Sequence, residues 1–484
     1  MKSGASAKPV LFSRCKLSAD LIMWVCIVFA TLLFFGLAWQ KYRFFNGDTN
    51  DLAIFAFAFS HTLHGEFFPV YFIPVNLLGC HPNWIILAWL PVYACWRSFY
   101  SLLFFQSCML TVSAWPFYLL AKQELKDTRP ALALGLTFLF FPTIVSQHVN
   151  QIHDDQFGLP FLMFAFYYFM GGDFKRFAVS MMLACLAKET ITITTAMFGV
   201  YGLLLRRPAK WVVFPLVFSV LYFAVALKLL SSGIAGMGAS LYTGTQYLEA
   251  YGKSPAEVMA TFLNRPGFVI RSVFSPVKLN YLMKLFLPVL YVLPFLSLAV
   301  VIALPNLLLN LIASNVAMTV IPWHYNILLG STLLVASVFG IKAASNWFPQ
   351  NRSRVANSLA VAMMFTAMVG TRFWFVADDY REKGYQSTMQ KVVATVPLDA
   401  SVLCSSPLLA HFSNRPKITT ASTILGWGDK NPQKMLTYDY IVLDGNWRSY
   451  DALSQRQLFE MLQKSGTHRV VFAENNVALL ERVR

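Results

Sequence analysis

The chain has 484 residues, 57% of them hydrophobic and 13% charged, whereas soluble proteins carry about a quarter charged residues. So much apolar side chain cannot be hidden inside a water-soluble fold. The formal charge of +16 would suggest nucleic acid in a soluble protein, but here most of the excess lies in short loops between apolar runs, where it sets orientation in a membrane, so no nucleic-acid partner is expected.

In chain order, the first apolar run, Leu21 to Trp39, follows Lys2, Lys8, Arg14 and Lys16 and has no small-residue cleavage site after it. It reads as a retained anchor with residues 1–19 as a cytoplasmic tail. Further spans are predicted near 98–121, 130–147, 156–171, 175–188, 190–205, 211–231, 282–300, 303–320, 326–344 and 355–376, about eleven in all in a transmembrane domain over 20–376. The loops that fall on the cytoplasmic side hold Lys122, Lys126 and Arg129, then Lys175 and Arg176, then Arg206, Arg207 and Lys210, then Lys342, Arg352 and Arg354. Only the turn at Pro305 and Asn306 lacks a charge, so a kinked or re-entrant element is the alternative there. Cys26, Cys95, Cys108 and Cys185 lie in apolar runs and no CxxC pair occurs, which points to neither a disulfide framework nor a zinc site.

Two long outer loops, 40–97 and 232–276, differ in character from the basic ones. In the first, Leu52 to Leu63 places Phe55, Phe59 and Leu63 at i, i+4 spacing, which suits a helix lying on the membrane surface. Trp84 to Trp96 is apolar but too short to span comfortably and reads as a buried or re-entrant element. In the second, the Gly-rich Ser231 to Ser240 reads as a loop, and Pro255 to Ile270 as an amphipathic surface helix. The tail from Ala377 to Arg484 turns polar. Strand-like Ser401 to Ser405, Tyr438 to Leu443 and Arg469 to Phe472 alternate with helix-like Pro407 to Ser413 and Asp451 to Lys464, which predicts a small extracytoplasmic α/β domain over 377–484. The fold class expected is an all-α polytopic membrane protein carrying that domain at its C-terminus, multi-pass in the plasma (inner) membrane.

Ionisable residues at the outer ends of spans are costly near lipid and usually face a cavity or one another. Five groups share that side. Asp48 and Asp51 follow the first span; a carboxylate there can act as a general base on an attacking hydroxyl, while Asp51 also suits a plain helix cap. His153, Asp154 and Asp155 form a short outer loop, and their oxygens suit magnesium or manganese, although the run serves equally as a solvated turn. Lys188 and Glu189 are either a structural ion pair at a helix end or, for Lys188, the counter-ion of a lipid phosphate. His324 and Tyr325 open a span beside Trp323, where interfacial anchoring competes with hydrogen bonding to phosphate oxygens. His81 is an outer-loop imidazole with no partner apparent in the sequence.

The series Asp51 to Phe55, His64-Gly65, His81-Pro82, Ile152-His153, Leu186 to Glu189, Leu304 to Asn306 and His324-Tyr325, continuing through Val396-Pro397, Ser405 to Arg415 and Tyr438 to Asp444, resembles a family of multi-spanning prokaryotic membrane proteins catalogued as a domain of unknown function. That family is grouped with the glycosyltransferase C superfamily. The resemblance implies a glycosyltransferase-C-like fold and an outward-facing site. It also implies transfer of a sugar from a polyprenyl-phosphate carrier, with Asp51 as the acidic residue of the first outer loop and Asp48 second. Ala56 to Ser60 and the shortened His81-Pro82 depart from the family pattern. The expected partners are a polyprenyl-phosphate-linked sugar, membrane lipid and an extracytoplasmic acceptor, with a metal optional. A transporter or flippase of a lipid-linked or anionic substrate, and a non-catalytic member, are the competing readings.

Overall fold

The computed structural model describes residues 18–73, 75–232, 247–372, 377–426, 431–446 and 451–483. The basic N-terminal residues through Lys16 and most of the Gly-rich stretch 231–240 lie outside the described residues. Among those described, four helices are long and apolar enough to cross a membrane: Ala19–Arg43, Phe99–Leu125, Lys210–Ser231 and His324–Asn346. Thr128–Leu139 and Pro142–Val149 make a fifth if taken as one span bent by 42°. Pro142 explains the bend, because it cannot donate to the preceding turn.

The other expected spans are built differently. Asp155–Gly171, Phe174–Cys185 and Ile191–Leu204 are helices of 17, 12 and 14 residues. The region 282–320 breaks into the end of Pro276–Phe286, the 3-10 turns Leu287–Val289, Leu293–Leu296 and Leu298–Ile302, and the helix Leu304–Ile312. Pro288, Pro294 and Pro305 sit at the first turns of three of these pieces, where a missing N–H is tolerated but a continuous helix is not. One side of the piecewise backbone packs on the bundle, where Gly340 of the Ile327–Asn346 helix lies so close to the Leu293 carbonyl that a side chain there would clash, while Tyr291, Val292, Phe295 and Leu298 are exposed. That helix is the centre of the bundle, with 89% of its span buried, whereas only 17% of the Lys210–Ser231 span is.

Helix Asn50–Thr62 corrects the surface-helix expectation. Leu52, Ala53 and every residue from Phe55 to His61 are buried, because the C-terminal segment covers the side that would have met solvent or lipid. The segment Trp84–Trp89 is a 3-10 turn running into the short helix Leu90–Cys95. The predicted amphipathic stretch is two helices, Pro255–Asn264 and Pro266–Val273, parted at a proline and exposing Met259, Leu263, Phe268 and Ile270.

The C-terminal part holds one mixed sheet in the order β2-β1-β3-β5-β4, with strands β1 Ser401–Leu403, β2 Lys417–Thr419, β3 Tyr440–Asp444, β4 His468–Glu474 and β5 Val477–Arg482. β1 pairs parallel with β2 and β3, and β5 pairs antiparallel with β3 and β4. Strands β2 and β5 had not been anticipated from the sequence. The β4–β5 hairpin turns on Asn475 and Asn476, both at positive φ, as a two-residue hairpin loop requires. The sheet is joined to the helices through hydrogen bonds: Asn46 Nδ2 donates to the Arg381 carbonyl at 2.8 Å, and Thr49 Oγ1 to the Ser406 carbonyl at 2.5 Å. Opposite these, the Ala410 N–H donates to Thr49 Oγ1 at 3.0 Å.

Candidate functional site

Helix Asn50–Thr62 begins at the junction of bundle and sheet, and its start presents Asp51. The cap comes from elsewhere: the Asn50 N–H donates to Asp48 Oδ1 at 2.9 Å, and the Asp51 and Leu52 N–H groups donate to Gln151 Oε1. The capping role weighed for Asp51 therefore belongs to Asp48 and Gln151, and the Asp51 carboxylate is left for other contacts. Its Oδ2 stands 3.5 Å from His153 Nε2. The His153 ring lies against His324, with centroids 3.7 Å apart, and His324 lies against Tyr325 at 4.0 Å. Asp51, His153, His324 and Tyr325, spread over the whole transmembrane sequence, thus form one continuous group.

Two pairs flank it, one buried and one with a buried carboxylate and a partly exposed imidazole. Lys188 Nζ donates to Asp155 Oδ2 at 2.7 Å, and His81 Nδ1 contacts Glu189 Oε1 at 3.0 Å. The Trp84 N–H to Leu186 carbonyl bond, 2.9 Å, ties the His81 loop to the Lys188 turn. Asn83 Nδ2 donates to Asp154 Oδ1, and Ser406 Oγ to Asp48 Oδ1.

Electrostatics follow from burial and these partners. Burial, then the charges of Asp48 and Asp154, push the Asp51 carboxyl up to about 7, against a smaller downward pull from Lys188. The dipole of its own helix favours the carboxylate but is outweighed. Burial, with Lys188 and His81 nearby, takes the His153 imidazole down to about 3. At neutral pH His153 is therefore a neutral neighbour of Asp51 and not an ion-pair cation. For His81 burial works downward, yet the Glu189 carboxylate, with a smaller contribution from Asp154, raises it overall. Replacing Glu189 with Gln is expected to move the His81 titration from above the ordinary imidazole value to below it, since burial then acts with less opposition. Histidine NMR of labelled protein reads this; an unmoved His81 would break the pairing.

Every residue singled out in the sequence is placed here: Asp48, Asp51, His81, His153, Asp154, Asp155, Lys188, Glu189, His324 and Tyr325. Two expectations change in detail. Lys188 is not an unpaired counter-ion but already holds Asp155. Asp154 and Asp155 diverge to Asn83 and Lys188, and among the described residues no three His, Cys, Asp or Glu side chains are grouped to hold a metal. Sequence reasoning missed Gln151, Asn83 and Ser406. Gln151 and Asn83 lie within or beside quoted polar loops, and Ser406 within the quoted Ser405 to Arg415 stretch, so their positions were legible although their roles were not. Among the described residues, Asn50 Oδ1, Asn83 Oδ1 and His324 Nδ1 are buried without a hydrogen-bond partner, so polar capacity remains unfilled around the group.

A family model described as "Predicted membrane protein (DUF2079)" matches residues 41–479. No curated protein matches the chain. Among solved structures, the chain is similar to ArnT from Cupriavidus metallidurans bound to undecaprenyl phosphate, with a TM-score of 0.60, 11% identity, and 96% of this chain and 98% of that chain covered. It is also similar to the apo state of that protein, with a TM-score of 0.54, 10% identity, and coverage of 96% and 99%. The likeness spans both the helical part and the sheet, so the fold is the one those structures share.

Proposed function

The chain belongs to the DUF2079 family of predicted membrane proteins, and from that premise we propose that it is a membrane glycosyltransferase of the glycosyltransferase C type. It takes a sugar from a polyprenyl-phosphate donor and places it on an extracytoplasmic acceptor. The observation that carries this is the contact chain Asp51–His153–His324–Tyr325 beside Lys188. It sets a base with a carboxyl near neutrality next to neutral hydrogen-bond donors and a cation. Support for the donor class comes from the fold shared with a protein bound to undecaprenyl phosphate.

Asp51 accepts the proton of the acceptor hydroxyl, and that oxygen attacks the anomeric carbon. The bond from the anomeric carbon to the phosphate oxygen breaks, polyprenyl phosphate leaves with the electron pair, and the anomeric configuration inverts because there is one displacement. His81, His153, His324, Tyr325 and the remaining N–H groups of Lys188 bind the phosphate, and the apolar tail stays in lipid. Glu189 and Asp155 hold His81 and Lys188 in place. In the same reading the N-terminus is cytoplasmic, the chain crosses the membrane an odd number of times, and the unit over 377–484 lies outside.

The deprotonated fraction of Asp51 grows with pH, so kcat/KM for transfer is expected to rise through about pH 7 and level off above it. Release of polyprenyl phosphate from lipid-linked sugars by purified protein measures this, and NMR of the product reads inversion. A profile flat from about pH 5.5 to 8.5 would remove Asp51 as the base. One observation favours the transporter alternative: His148 is buried, stacked on Phe34 at 4.4 Å, and neither ring nitrogen has a hydrogen-bond partner among the described residues. A buried ionisable residue of that kind also marks substrate or proton pathways in carriers.

A further inference from the structure

The loop over 150–154 carries His153 between Asp51 and His324, and uncharged amides lie behind it. The helices on either side of this loop, Pro142–Val149 and Asp155–Gly171, each contribute one fully buried glutamine, Gln147 and Gln156. The two side chains meet, Gln156 Nε2 donating to Gln147 Oε1 at 3.3 Å.

From this junction, bonds run to both neighbours of His153. On one side Gln156 holds the loop itself: its Nε2 also donates to the Gln151 carbonyl at 3.4 Å, and its N–H to the His153 carbonyl at 3.3 Å. Gln151 in turn accepts the Asp51 and Leu52 N–H groups. On the other side Gln147 Nε2 donates to the Pro322 carbonyl at 2.8 Å, joined there by Asn150 Nδ2 at 3.1 Å. Pro322 belongs to the turn that carries His324, which Asn326 Nδ2 closes on the Val320 carbonyl at 2.9 Å. The start of helix Asn50–Thr62 and the His324 turn, remote in sequence, are thus held through one pair of side chains.

Taken singly, each bond only satisfies a carbonyl or caps a helix. Two features exceed that. The pair joins all three elements that bear Asp51, His153 and His324, and a buried polar network fixes one arrangement of the groups it connects. Moreover, Gln156 Oε1 is buried without a hydrogen-bond partner among the described residues, a cost that an apolar side chain of similar size would avoid. We propose that Gln147 and Gln156 are positioning residues that fix the spacing of Asp51, His153 and His324, with no contact to substrate and no added charge beside the base. The consequence for rate rests on the glycosyl-transfer reading; the geometric role does not.

NMR of the full chain labelled at its histidine rings tests the geometry, and steady-state release of polyprenyl phosphate tests the consequence. In wild type the stacked rings of His153 and His324, 3.7 Å apart, should show a nuclear Overhauser contact. Gln147→Leu and Gln156→Leu are each expected to abolish it while leaving the resonances of His468, on β4, where they are. For both variants kcat should fall about 10- to 100-fold, the scale of a displacement of roughly 1 Å, with a smaller change in the KM for the lipid donor. Thermal unfolding checks that each is folded. Should either fail to fold, Asn150→Ala, at a half-buried position, removes the second donor to the Pro322 carbonyl and carries the same expectation. An intact ring contact in the folded variants, or an unchanged kcat where wild type is active, overturns the proposal. Loss of the ring contact in a protein whose wild type releases no polyprenyl phosphate from any donor supports the amide pair and sinks the transfer reading alone.

Discussion

Asp51→Asn is expected to lower kcat for sugar transfer by about 10²- to 10⁴-fold, the range a positioned general base contributes, with little change in the KM for the lipid donor. Asn keeps the volume beside His153, and the helix cap survives because it is made by Asp48 and Gln151. The variant therefore separates proton transfer from folding. The same substitution at Asp48 should cost less, since Asp48 is engaged by the Asn50 N–H and Ser406. A steady-state comparison of the two variants with unchanged unfolding midpoints checks the assignment; equal losses would transfer the base role to the pair.

The second large effect is structural. Lys188→Met should destabilise the protein by about 3–5 kcal/mol, because it leaves a buried carboxylate without its cation. The side chains of Lys188 and Asp155 are 8% and 7% exposed and meet at 2.7 Å. Removing both charges in Lys188→Met with Asp155→Leu should recover most of that loss, since two apolar groups of similar size can replace a buried pair at little net cost. Thermal unfolding in detergent reads the difference. If the double variant were as unstable as the single one, Lys188 would be stabilising through Asp154 or Glu189 instead.

The site was legible in the sequence to the extent that charge is conspicuous in an apolar chain. Asp51, His153, Lys188, Glu189 and His324 stood out because each carries a cost near lipid that a fold must offset. Their pairings were not legible: His81 finds Glu189 across 108 positions and Lys188 finds Asp155 across 33, and no spacing rule links residues so far apart. Gln151 escaped because an uncharged amide in a polar loop carries no comparable cost. The helix Asn50–Thr62 shows a misread period. Phe55, Phe59 and Leu63 suggested one apolar face, but Leu52 to Phe59 is apolar on all faces, the pattern of a helix that is buried throughout. The span count failed to map onto long helices where prolines punctuate the run, at 288, 294 and 305, since hydropathy sums side chains and does not see the missing N–H groups.

In the proposed function, the cluster around Asp51 cleaves a lipid-linked sugar rather than moving it. Reconstitution of the purified protein with a panel of polyprenyl-phosphate sugars and extracts of envelope acceptors, followed by quantification of free polyprenyl phosphate, tests this most directly. Release is expected to depend on both donor and acceptor and to disappear with Asp51→Asn. No release from any donor, together with faster passage of the intact lipid-linked sugar between leaflets of the same vesicles, would contradict it.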